Sequence, residues 1–138
     1  HILFAEPSEE DAAAIDAYLK SLQPVPSPYL RDGRLSRAAR RGKKLFFSER
    51  VGCSKCHRGA LYTDMRMYDV GSKGPCDRRR TFDNATLIEV WRTAPYLHDG
   101  RYTTVKELIT RGRHGKEWGK VELTEGEIND LVEFVLSL

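Results

Sequence analysis

Apolar residues in this chain recur at helical spacing. Ala12, Ile15, Leu19 and Leu22 fall three or four apart, on one face of an amphipathic helix. Ser8-Glu9-Glu10-Asp11 supplies its start, a hydroxyl followed three residues later by a carboxylate. Pro24 stops it, and Pro24, Pro26 and Pro28 predict a stiff, extended linker. A second helix is predicted from Ser36 through Ala39, Leu45 and Phe46, and a short one from Asn84 to Trp91 ahead of a turn at Pro95 to Gly100. Thr104-Val105-Lys106-Glu107 caps another, ending near Gly112. Thr124-Glu125-Gly126-Glu127 caps the last, where Ile128, Leu131, Val132 and Val135 form the apolar stripe. Between Gly59 and Pro75 the chain is predicted irregular, with Gly71 and Gly74 as punctuation. Two-residue alternation persists nowhere, so the predicted class is all-α with long loops.

The two ends of the chain match. Laid without gaps on Thr124 to Leu138, Ser8 to Leu22 pairs Ser8 with Thr124, Ile15 with Leu131, Tyr18 with Phe134 and Leu22 with Leu138. The expected organisation is therefore a closing helix of a preceding, similar domain over 1–23, a Pro-rich linker over 24–34 and a complete domain over 35–138, the segment being the C-terminal part of a longer protein.

At 138 residues the chain has room for one packed domain and not for two. Its net charge of +3 gives no bulk argument for nucleic acid or membrane. Arg78-Arg79-Arg80 is too short for a nucleic-acid tract and lacks interleaved aromatics for base stacking. The distribution of charge says more. Arg31 to Arg58 carries ten basic residues against Asp32 and Glu49, whereas Glu117 to Glu133 carries six acids against Lys120. The basic tract reads either as a collar that steers an acidic partner or as a solvated helical face. No apolar stretch is long enough for a transmembrane helix and no signal peptide is visible, so no membrane span is expected.

Cys53-Ser54-Lys55-Cys56-His57 changes this picture most. Two thiols three apart followed at once by an imidazole are what covalent c-type haem attachment requires: the thiols add to the haem vinyl groups and His57 becomes the proximal iron ligand. One covalently attached c-type haem is the expected cofactor. Such haem is attached outside the cytoplasm, so the expected location is periplasmic or otherwise extracytoplasmic, and a chain starting at His1 without an export signal is expected to be a processed or excised piece. Zinc is the rival for these residues, with Cys53, Cys56, Cys76 and one His as ligands. A thioredoxin-like dithiol would need a βαβ unit, which the pattern does not supply. Cys76 is otherwise a buried small hydrophobe or an exposed thiol.

For the sixth iron position the candidates are His114, Met67, Met65 and His98. His114 lies 57 residues beyond His57, far enough to reach the other haem face, whereas Met67 and Met65 demand a tight wrap. The choice matters because paired histidines keep the potential low and Met raises it. His98 would act as acid or base only at an open haem face. The anionic propionates need donors, and Arg92, Arg101, Trp91 and Tyr96 around the Pro95 turn are the candidates.

Thr93-Ala94-Pro95-Tyr96-Leu97-His98-Asp99-Gly100-Arg101 resembles the T-A-P-Y-x-H-D-G segment of the di-haem cytochrome c peroxidase and MauG-like family. Gly42-Lys43-Lys44-Leu45-Phe46, Asp69-Val70-Gly71 and the Leu87 to Trp91 region are similar to further family segments, in the same order, so the resemblance runs from about Leu35 to Leu138. It implies an exported protein with a class I cytochrome c fold, in which the C-terminal helix crosses the helix leading into the haem motif. It also implies that His98 is a structural residue of the turn. Family peroxidases use two haems; this chain has one C-x-x-C-H and resembles the electron-carrying half. Where relatives place a Met or Tyr ligand it reads Arg111-Gly112-Arg113-His114, which makes His114 the first choice. An R-H-G-x segment before an L-T-x-x-E helix is similar, too, to cytochrome domains appended to bacterial β-propeller-type proteins. The expected function is one-electron relay, within a larger multi-haem protein, between a neighbouring haem or enzyme domain and an outside redox partner, an acidic one if the basic tract is a steering collar. The alternative is a MauG-like or peroxidase activity at an open haem site, which would make the chain a haem peroxidase-type oxidoreductase.

Overall fold

The computed structural model describes residues 6–112, 114 and 122–138. Residues 1–5 of the first predicted unit, Arg113 and Gly115 of the R-H-G-x segment, and Glu117 and Lys120 of the acidic tract lie outside the described residues. The described chain is helix-dominated: α1 (Glu9–Ser21), α2 (Arg37–Phe46), α3 (Val105–Thr110) and α4 (Glu125–Leu136), with single 3-10 turns at Cys53–Lys55 and Val90–Arg92.

The core forms where α2 and α4 pack together. Ser36 starts α2, its hydroxyl accepting from the Ala39 amide at 2.9 Å, and Ala39, Gly42 and Phe46 fall on its buried face. Gly42 is the point of closest approach. A Cβ there would lie 1.9 Å from the Asp130 carbonyl oxygen and 2.9 Å from the Phe134 Cβ, so any side chain would force the helices apart. Across that seam Phe46 meets Phe134 edge-on at 5.3 Å, and Tyr62 adds a second edge contact to Phe46 at 5.8 Å. Leu131, Val135, Val105, Val90 and Tyr96 complete the buried cluster. Charged pairs flank the seam, Arg41 gripping Asp130 through two bonds of 2.6 Å and Arg50 meeting Glu127. Exposed pairs contribute about 0–1 kcal/mol each, while a fully buried Phe or Leu contributes about 1.5–3 kcal/mol. The aromatic contact therefore does more than the ion pairs to hold α2 to α4.

Two expectations need correction. The class is not purely α, because β1 (Met67–Tyr68) and β2 (Phe82–Asp83) pair antiparallel, Met67 opposite Asp83 and Tyr68 opposite Phe82. Two residues per strand are too few to leave an alternating pattern. The helix expected from Asn84 to Trp91 shrinks to the Val90–Arg92 turn. Asn84 and Thr86 are committed elsewhere, Thr86 donating its hydroxyl to the Leu61 carbonyl at 2.6 Å, and Glu89 sits at φ +61°, which a helix cannot include.

The helix α1 stands apart from the core and has no buried residue. The chain after it rejoins the domain at Val25, whose amide donates to the Glu89 carboxylate, and at Ser27, which is buried and accepts from the Tyr29 amide at 3.1 Å while donating to the Leu136 carbonyl. Among the described residues, no helix is long and apolar enough to cross a membrane.

Candidate functional site

The end of α2 delivers the chain to Cys53. Gly52, at φ +73°, turns the backbone into the Cys53–Lys55 turn, and the His57 amide donates back to the Cys53 carbonyl at 3.0 Å. Cys53 packs against the core cluster, and burial pushes its thiol up to about 11. The His57 Nδ1 lies 3.0 Å from the Tyr62 carbonyl oxygen. That oxygen can only accept, so Nδ1 carries the hydrogen and Nε2 is left with its lone pair. Burial lowers the His57 pKa, partly opposed by this hydrogen bond and by the Asp64 charge.

His114 faces His57. The two rings stand 6.1 Å apart between centroids, inclined at 44°, and burial with the neighbouring His57 takes the His114 pKa down to about 4. An imidazole–metal bond is about 2 Å, so two of them plus the ring half-widths, about 1 Å each, come to about 6 Å. The gap therefore fits one metal ion held from both sides. A second observation agrees. Among the described residues, the buried side-chain polar atoms without a hydrogen-bond partner are His114 Nδ1 and Trp91 Nε1. Buried polar groups are rarely left so, and here both lie on residues assigned by sequence to an iron and to an anionic cofactor edge.

The other candidates are placed differently. Met65 is 83% exposed and Met67, in β1, 49% exposed. His98 is engaged on both nitrogens, Nε2 with Asp77 at 2.8 Å and Nδ1 with the Ser72 hydroxyl at 3.2 Å, and stacks on Phe82 at 3.5 Å. Arg92 pairs with Glu89, Arg101 with Asp99 and the Ser72 carbonyl, and the Tyr96 hydroxyl donates to the Val90 carbonyl at 3.1 Å. Cys76 is exposed, and no group of three His, Cys, Asp or Glu gathers among the described residues as zinc would need.

Sequence reasoning missed the residues behind the proximal loop. Asp64 and Asn84 join there through an Asn84 Nδ2 to Asp64 Oδ1 bond of 3.1 Å. Neither stands out in the sequence, because their meeting depends on the pairing of β1 with β2.

This helical, C-x-x-C-H-bearing architecture is cytochrome c-like, and comparison with known proteins agrees. No family model matches the chain. Hydrazine synthase subunit gamma of Kuenenia stuttgartiensis is 28% identical over 169 aligned positions, covering 91% of this chain and 48% of that protein. Cytochrome-c peroxidase IdrP1 of Denitromonas iodatirespirans is 28% identical, over 75% of this chain and 41% of its own length. Methylamine utilization protein MauG of Methylophilus methylotrophus is also 28% identical, over 75% and 37%. Among solved structures, K. stuttgartiensis hydrazine synthase superposes with a TM-score of 0.78 at 25% identity, over 95% of this chain and 56% of that one. A MauG-like protein associated with microbial copper homeostasis gives 0.75 at 25% identity, over 98% and 58%. The chain is thus similar, at modest identity, to cytochrome c peroxidase and MauG-like proteins. It spans about half the length, or less, of the curated relatives it matches.

Proposed function

We propose that this chain is a c-type cytochrome domain that binds one covalent haem and relays electrons one at a time within a larger multi-haem protein. The observation that carries the reading is the facing pair His57 and His114 at 6.1 Å beside Cys53 and Cys56. The cysteines would anchor the macrocycle, His57 would bind the iron through its free nitrogen, and His114 would close the opposite position. The Trp91 indole N–H, left without a partner in the fold, would meet the propionate edge, whereas Arg92, Tyr96 and Arg101 would first have to leave the partners they hold. Bound in this way, haem supplies a one-electron couple whose potential paired imidazoles keep low. With both iron positions held by protein no place remains for substrate, which favours relay over catalysis. Exposed Arg37, Arg40, Lys43 and Lys44 on α2 suit an acidic redox partner. The domain is exported, and α1 closes a preceding, similar unit.

Relatives named cytochrome-c peroxidase and MauG support a second reading, an open or displaceable haem face that binds peroxide. Visible spectra of the reduced protein before and after carbon monoxide separate the two. We expect no change for the wild type and a carbon monoxide adduct for His114→Ala. An adduct in the wild type moves the peroxidase reading ahead. An unchanged low-spin spectrum in His114→Ala removes His114 from the iron and leaves Met67 or Met65.

A further inference from the structure

The loop that carries the Tyr62 carbonyl is fastened from behind by two residues, neither of which follows from the haem motif. Asp64 has a side chain only 4% exposed. Its carboxylate accepts from the Tyr68 hydroxyl at 2.6 Å, from Asn84 Nδ2 at 3.1 Å and from the Arg66 amide at 3.2 Å. Arg58 also reaches it, through a longer contact of 3.4 Å from a half-exposed side chain. Asn84 is itself buried. Its Nδ2 also donates to the Cys56 carbonyl at 2.8 Å, its amide donates to the Arg66 carbonyl at 2.8 Å, and its carbonyl accepts from the Thr63 hydroxyl. One side chain thus ties the residue before His57 to the segment just after Tyr62, and the short β1–β2 pairing brings it there.

The geometry points to Asp64 and Asn84 as positioning residues of the iron site: Asn84 fixes the loop that orients the His57 imidazole, and Asp64 places a fixed negative charge behind it. This rests on the haem reading given above. Ligand-orienting partners of this kind set both ring orientation and ligand basicity. Ferric iron carries one more positive charge than ferrous, so a buried carboxylate nearby favours the ferric form and lowers the potential. Hydrogen bonds to the carboxylate from Tyr68, Asn84 and the Arg66 amide spread that charge and favour its ionised form.

The signs of the effect make the test. In potentiometric titration of the full chain, Asp64→Asn keeps the shape and removes the charge, so the midpoint moves to higher potential. Tyr68→Phe removes the donor that disperses the charge, so the midpoint moves the other way, by less. Asn84→Ala leaves the charge but frees the loop, so the low-spin ferric electron paramagnetic resonance signal, which reports imidazole orientation, changes its g values. A purely structural role would alter stability in all three without opposed shifts in potential. Midpoints unmoved in Asp64→Asn and Tyr68→Phe, or moved in one direction, overturn the charge assignment; unchanged g values in Asn84→Ala overturn the positioning assignment. Covalent haem in the wild type is measured first as the pyridine haemochrome. Its absence overturns this inference and the haem reading together, whereas its presence with unmoved potentials overturns this inference alone.

Discussion

The helices α1 and α4 begin with the same kind of cap and carry apolar side chains at matching positions. Ser8 accepts from the Asp11 amide at 3.1 Å, as Thr124 does from the Glu127 amide at 3.2 Å. Ile15 corresponds to Leu131 and Tyr18 to Phe134. Their surroundings are opposite. Leu131 and Phe134 are 2% and 1% exposed, whereas Ile15 and Tyr18 are 48% and 63% exposed. The difference lies in the receiving surface and not in the helices. For α4 there is a basic, glycine-notched α2, where Gly42 lets the backbones meet and Arg41 grips Asp130. For α1 the described chain offers no such surface. Amphipathic spacing thus tells which face of a helix needs a partner, and the complementary notch tells where the partner is.

Matched truncations break the comparison most sharply. Phe134→Ala opens the centre of the aromatic cluster with Phe46 and Tyr62, and a buried Phe→Ala costs about 3–5 kcal/mol. Tyr18→Ala removes a side chain that touches no core, and such surface changes stay within about 0.5 kcal/mol. Urea unfolding followed by circular dichroism measures both. A cost for Tyr18→Ala near that of Phe134→Ala would mean that α1 is packed in solution, and its assignment to a preceding unit would fall. If that assignment holds, the same substitution becomes costly only in a longer chain that carries the receiving helix.

What could be read from the sequence follows the same division. The caps at Ser8, Ser36, Thr104 and Thr124 are local chemistry and start α1, α2, α3 and α4 as expected. The Cys53 to His57 motif is also local, and its turn and its half-buried thiols could be anticipated from five residues. Features that depend on distant partners were not legible. Asn84 to Trp91 has helical-looking composition, but Asn84 is drawn off by Cys56, Asp64 and Arg66. The β1–β2 pairing is two residues deep, and Asp64 and Asn84 matter only because it exists. The nearness of His114 to His57 lies between these cases: chain length allowed it, and only the return of the chain after α3 brings the rings to 6.1 Å, inclined at 44°.

The caps give the next, smaller contrast. Thr124→Ala removes the hydroxyl that serves the Glu127 amide at the start of a core helix, and loss of such a cap costs about 1 kcal/mol of global stability. Ser8→Ala removes the same bond from α1. Because α1 buries nothing, that change lowers helix content by circular dichroism and leaves the urea midpoint in place. A shifted midpoint for Ser8→Ala would again place α1 within the cooperative unit.

The smallest expected effect is a pH dependence confined to α4. Glu127 reaches back to the Thr124 amide at 2.9 Å and hydroxyl at 3.1 Å, and also meets Arg50. The bond from the Thr124 amide first, then the Arg50 guanidinium and the Thr124 hydroxyl, hold its carboxyl below the ordinary value of 4.5, against the desolvation that would raise it. A carboxyl lowered in the folded state binds its proton more readily when unfolded, so its contribution is present in full above about pH 4.5 and is lost as pH falls through the folded value. Glu127→Gln keeps an acceptor for Thr124 but removes the charge. Between pH 6 and 7 the variant should therefore be slightly less stable than the wild type, and the gap should close as the pH falls below 4.5 and through the lowered folded value. The measurement is the difference in urea midpoint between the two proteins at each pH, which cancels the titration of every other carboxylate. A gap that stays constant with pH would mean that the Glu127 charge does not hold the start of α4, and that the capping box works through its hydrogen bonds alone.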